Sequence, residues 1–154
     1  MAFTTSGEVL AALGRKLDAL GIVQYLDDPA AVFDPTDDTR LAFFDGLLPP
    51  DPDNCVAASI VRDDRERDPF NPDIDVRLRF RAAIGATKTA DDWADEVFDQ
   101  LHVPDHIVRK ENWPGGVRVI DVRRVVRALS FEDTNGRSVR ADDYRITLNP
   151  KVSE

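Results

Sequence analysis

From Asp73 to Ala82 apolar and charged residues alternate without a break. Ile74, Val76, Leu78 and Phe80 share one parity, and Asp75, Arg77, Arg79 and Arg81 share the other. Successive side chains of an extended chain point to opposite sides, so this segment fits a β-strand with one dry face and one wet face. It does not fit a helix, whose apolar residues recur every three or four positions. Such a strand needs neighbours to form a sheet and an apolar layer to cover its dry side.

Two segments supply the layer. Val9, Leu10, Leu13, Leu17 and Leu20 recur at helical spacing behind a Thr5 or Ser6 cap, and Gly21 ends the run. Residues 89–101 form a second helix with Thr89 as cap and Trp93, Val97, Phe98 and Leu101 as its buried stripe, stopped by Pro104.

The neighbouring strands are expected at residues 22–26, 40–44, 55–62, 106–109, 117–128 and 140–148. Residues 55–62 are apolar on both parities, which predicts an interior strand covered on two sides. Pro49, Pro50 and Pro52 make 47–53 an extended connection, and 63–72 is the most polar loop. Residues 113–116 read as a turn. Asp133-Thr134-Asn135-Gly136 signals a hairpin, with Asn-Gly suited to a type I′ turn. The expectation is one domain over 1–154 with an α+β fold: a twisted, mostly antiparallel sheet with two main helices packed on one face.

At 154 residues the chain can bury a core without disulfides, and it has only one cysteine, Cys55. Its net charge of −9 argues against binding nucleic acid by phosphate neutralisation. No basic-plus-apolar leader and no apolar run of membrane length is present, so a soluble chain made in the cytoplasm without a membrane partner is expected.

Catalytic signatures are missing: no Gly-rich phosphate loop, no G-x-S-x-G and no H-E-x-x-H. His102 and His106 have zinc-like spacing, but Pro104 separates them; His102 reads instead as a cation at a helix C-terminus. Asp51-Pro52-Asp53-Asn54 opens like a calcium loop, yet Val56 and Arg62 stand where glycine and glutamate belong. Cys55 reads as a small buried hydrophobe. Neither an enzymatic activity nor a cofactor or metal is expected.

Charge is the more informative feature. Arg77, Arg79 and Arg81 share one strand face, and Arg118, Arg123, Arg124 and Arg127 make a second basic strand, while acids gather on loops and helices. Such a face is either a solvated strand side or a surface that docks an acidic neighbour, including another copy of the chain. The candidate interface therefore comprises Arg77, Arg79, Arg81, Arg123 and Arg127. To these are added Asp63, Asp64, Arg65, Glu66, Arg67 and Asp68 of the polar loop, and Asn135 and Arg137 of the hairpin.

The order of segments resembles the tail terminator (minor capsid or minor tail protein) family of actinobacterial siphophages. The likeness is carried by Ala19-Leu20-Gly21-Ile22 closing the first helix and by Leu47-Leu48-Pro49-Pro50-Asp51-Pro52-Asp53 before an apolar strand. It continues in Val76-Arg77-Leu78-Arg79-Phe80-Arg81 leading to the Ala90–Leu101 helix, and in Asn135-Gly136-Arg137 followed by Asp143-Tyr144-Arg145-Ile146. The resemblance implies a virion protein at the head–tail junction. It would form a hexameric ring that caps the tail tube, stops its polymerisation and receives the head connector or stopper. Its partners would be itself, the tube protein and that connector, with genomic DNA passing through the lumen without sequence-specific binding. Other readings are a head-completion or stopper subunit, a tube protein, or an unrelated small acidic enzyme or adaptor.

Overall fold

The computed structural model describes residues 3–28, 30–34, 37–103 and 110–150. In chain order its elements are α1 (Ser6–Ala19), β1 (Val23–Gln24), β2 (Leu41–Asp45), β3 (Cys55–Asp64), β4 (Asp73–Ala82), α2 (Ala90–Leu101), β5 (Glu111–Trp113), β6 (Val117–Arg127), β7 (Phe131–Glu132) and β8 (Ser138–Leu148). The sheet runs β1-β2-β3-β4-β8-β6-β5, with β7 adding to β8. β1–β2 and β2–β3 are parallel, and every other pairing is antiparallel. The fold is therefore α+β with a twisted, mostly antiparallel sheet.

The alternating strand β4 lies at the centre, and the last strand, β8, returns to pair along its whole length, from Asp73 opposite Thr147 to Ala82 opposite Ser138. Both helices cover the same face. Leu13 and Leu17 of α1 and Trp93 and Val97 of α2 join Val56, Leu78, Phe80 and Ile146 in one apolar core. Each such large side chain contributes roughly 1.5–3 kcal/mol on burial. Each helix begins at a capping box, Thr5 with Glu8 and Thr89 with Asp92. Gly21, at φ 78°, takes the left-handed turn after α1. Gly14 serves packing instead: a Cβ there would stand 2.4 Å from the Tyr25 ring.

Several expectations need correction. The strand expected at 22–26 shrinks to Val23–Gln24, at the sheet edge. β3 is dry on both sides only through Cys55–Ala58, while Val61 is half exposed beside a register shift. The outward Cys55 and Ala57 are small and lie in register with Arg81 and Arg79, so they are buried without a second layer. Asp63 and Asp64 belong to β3 rather than to the polar loop. Trp113 is not in a turn; it closes β5 and is buried. The hairpin joins β7 to β8, and among the described residues only glycines take positive φ, so Asn135 is not in a type I′ turn. Gly136 donates to the Asp133 carbonyl at 3.0 Å and Asp133 to the Arg137 carbonyl at 2.9 Å, a three-residue loop with glycine at its left-handed position. The Asp133 carboxylate sustains it by accepting from the backbone N–H groups of Asn135 and Arg137. Pro104, His106 and the strand expected at 106–109 lie outside the described residues.

Candidate assembly surface

No described helix packs on the second face of the sheet, where the odd-numbered residues of β4 and β8 stand. The expected separation of positive strands from negative loops does not hold on this back face. Strand aspartates pair with strand arginines: across strands Arg77 with Asp143 at 2.8 Å and Arg145 with Asp75 at 3.0 Å, and along one strand Arg123 with Asp121 at 2.7 Å. Arg62 pairs with Asp64 at 2.7 Å. Opposite charges facing each other across strands support the sheet locally, so these arginines answer to their own neighbours first.

The candidate interface residues divide between the two ends of β4, ten residues at about 3.3 Å each and so roughly 30 Å apart. At one end Asp63 is paired with Arg65, which also donates to the Thr4 carbonyl at 2.7 Å and lies over the Phe3 ring. Arg67 donates to the Asn71 carbonyl and side chain, Asp68 accepts from the Phe70 N–H, and Glu66 is exposed. This loop is thus tied to itself and to the N-terminal segment. At the other end Arg81 is 4% exposed and donates to the carbonyls of Pro49, Pro50, Pro52 and Asp53. Arg137 reaches the Pro50 carbonyl, Asp53 and Asp133, binding the hairpin to the same proline-rich connection. Asn135 is exposed at the hairpin tip and Arg127 at the end of β6. Arg79 lies between these ends and has no ion pair or hydrogen bond among the described residues; Ala57 and Ala141 flank it in register.

Sequence reading passed over a cluster on the covered face. Arg140 is fully buried, grips Asp142 with two bonds of 3.0 Å, and reaches Asp91 at 3.0 Å and Asp95 at 3.1 Å on α2. Burial opposes its charge, but the hydrogen bonds it donates to Asp142 and Asp91 outweigh that and raise its pKa. Beside it, burial raises the Tyr144 hydroxyl's pKa, and this hydroxyl and Arg124 Nη1 are buried without hydrogen-bond partners. The guanidinium of Arg124 stacks 3.8 Å from the Phe98 ring centre. The signal was present in the sequence: Arg140, Asp142 and Tyr144 share the parity of the buried Ile146 and Leu148.

The reactive side chains are similarly constrained. Burial pushes the Cys55 thiol up to about 11, which keeps it protonated and unreactive near neutrality. His102 is not the helix-end cation expected: burial, then Arg123 and Arg124, lowers its pKa, and its Nδ1 accepts from the Arg124 N–H at 3.0 Å. An accepting Nδ1 carries no proton, so this imidazole is neutral. An open cleft of about 580 Å³ is lined by Gln24, Phe33, Asp34, Asp37, Arg40 and the Asp51–Asn54 stretch. Hydrogen bonds from the Thr39 side chain and backbone, then from Arg40, hold Asp37 down at about 2, so it stays a carboxylate near neutrality. Among the described residues no group of three or more His, Cys, Asp or Glu is placed to hold a metal, and no helix is long and apolar enough to cross a membrane.

No family model matches the chain, and no curated protein matches it. Among solved structures, one chain of the "Virion of native gene transfer agent (GTA) particle" superposes with a TM-score of 0.58 at 16% identity, covering 96% of this chain and 98% of that one. The two chains share a fold. The agreement extends over nearly the whole of both rather than over a local motif.

Proposed function

We propose that this chain is a virion structural protein of the tail-terminator type, without enzymatic activity. Copies of it, six by the family resemblance, close a ring on the head-proximal end of the tail tube. The ring stops tube growth and presents a surface to the head connector or stopper. The observation that carries this reading is the near-complete overlap in fold with a chain from a gene transfer agent virion. The order of segments resembling tail terminators narrows it from virion protein to terminator.

The charge agrees. At −9 per copy, a ring repels the phosphates of a duplex passing through its lumen, so DNA slides rather than sticks. That passage needs no base contacts. The partners are accordingly other copies of the chain, the tube protein and the connector, with no membrane.

Electron microscopy of the chain mixed with its tube protein tests the proposal. Tubes of limited length carrying one extra ring at a single end are expected. Long cylinders made by this chain alone would identify a tube protein instead, and rings that join only to heads would identify a stopper.

A further inference from the structure

The back face of the sheet changes character along its length. Towards Asp64, Asp73 and Asp121 its charges close on one another, and Thr147 donates to Asp73 at 2.7 Å. At the other end the cross-strand row Phe131, Val139, Arg81 and Cys55 is apolar apart from an arginine turned to loop carbonyls. The next row sets Arg79 between Ala57 and Ala141, and Val126 stands opposite Asp143 just beyond. Phe131 is 60% exposed and Val126 49%. A guanidinium without a partner among the described residues, flanked by two alanines on a face that also carries exposed Phe131 and Val126, has the composition of an interface centre rather than of a solvated surface.

The terminal strands offer copies little edge to extend. β1 has two residues and β5 three, so neither end of the sheet gives a neighbour a strand long enough to extend.

The chain carries a complementary face of its own. α2 holds five acids and no base. Asp92, Asp95 and Asp99 are all exposed and recur at spacings of three and four, so they share one side of the helix. Asp92 closes the capping box and Asp95 reaches Arg140, but Asp99 has no partner among the described residues. This acidic side looks away from the sheet, opposite in direction to the Arg79 face. A contact between the two is heterologous and repeats head to tail, as a closed ring requires.

We infer that the Arg79 patch, with Phe131 and Val126, docks the acidic outer side of α2 around Asp99 from a second copy of the chain. This rests on the ring reading and assigns its subunit contact. Repulsion between the −9 copies is offset where opposite charges meet, and the flanking apolar groups exclude water from the pair.

The test compares the full-length wild type with Arg79→Glu, Asp99→Arg and the double swap, alone and on tube ends, by mass photometry and negative-stain imaging. Each single change is expected to weaken association about tenfold or more, and the double swap to restore it. Arg79→Ala, with a melting curve of the monomer, serves if Arg79→Glu fails to fold. Rings of Arg79→Glu or Arg79→Ala indistinguishable from wild type would overturn this contact while leaving the ring standing. Rings that form normally but no longer seat on tubes would transfer the patch to the tube protein and overturn the self-contact. A wild type that never associates, free or on tubes, would overturn both readings.

Discussion

Arg79 and Arg140 are one register step apart on adjacent strands, Arg79 opposite Ala141 and Arg140 opposite Phe80, and they face opposite sides of the sheet. Arg140 is fully buried and meets three carboxylates, two of them from α2. Arg79 meets none among the described residues. The same side chain in the same kind of strand thus performs two tasks: one fastens a helix to the sheet, the other leaves a charge available to a neighbour. Position relative to the apolar layer decides which, because a buried guanidinium is tolerable only when acceptors accompany it, carboxylates in the case of Arg140. Leucines in place of the buried pair should give comparable stability.

Removing the buried cation should have the largest effect. Arg140→Ala strands Asp142 in the core, and urea unfolding should show a loss of about 3–5 kcal/mol; Arg140→Leu with Asp142→Leu should recover much of it. If the single change costs less than about 1 kcal/mol, the cluster is not what seats α2. Arg81→Ala comes next, since it frees several loop carbonyls, at about 1–3 kcal/mol. Faster amide exchange around residues 49–54 should accompany it.

Acid sharpens the comparison further. The hydrogen bond from Arg140 lowers the pKa of Asp91 below the ordinary aspartate value of ~3.9. A depressed folded-state value means the contribution is fully present above the unfolded value and is lost as pH falls through the folded one. Stability should therefore fall as pH drops below about 4, and less so in Asp91→Asn, which has already lost this contribution. Thr89→Ala, removing the cap of α2, should cost about 1 kcal/mol in the same unfolding assay. The smallest expected change is Arg79→Ala, which should alter monomer stability by no more than about 0.5 kcal/mol. A larger loss would mean that Arg79 works within its own chain.

Periodicity was sufficient for the frame. The alternation of Asp73–Ala82 and the stripes of both helices predicted β4, α1 and α2 with their caps, because burial on one side leaves a regular trace in sequence. It was less sufficient where short-range context decides. β5 was missed because three residues show no period, and the Asn135-Gly136 turn changed type because Asp133 accepts the backbone N–H groups that shape it. The surface was legible only as a set of arginines. Which of them are free depends on cross-strand partners such as Asp143 opposite Arg77, and register between strands distant in sequence is not written in either one. The Arg140 cluster was hidden because charged residues on the dry parity looked like an interruption of the pattern instead of a satisfied group within it.

The central claim is that identical copies of this fold close a ring at the head–tail junction. A cryo-electron microscopy reconstruction of the particle tests it most directly. The account predicts a single ring of this chain on the last ring of the tail tube, with its sheet back face against α2 of the next copy. A chain that repeats along the tube, or that is absent from the junction, would contradict it.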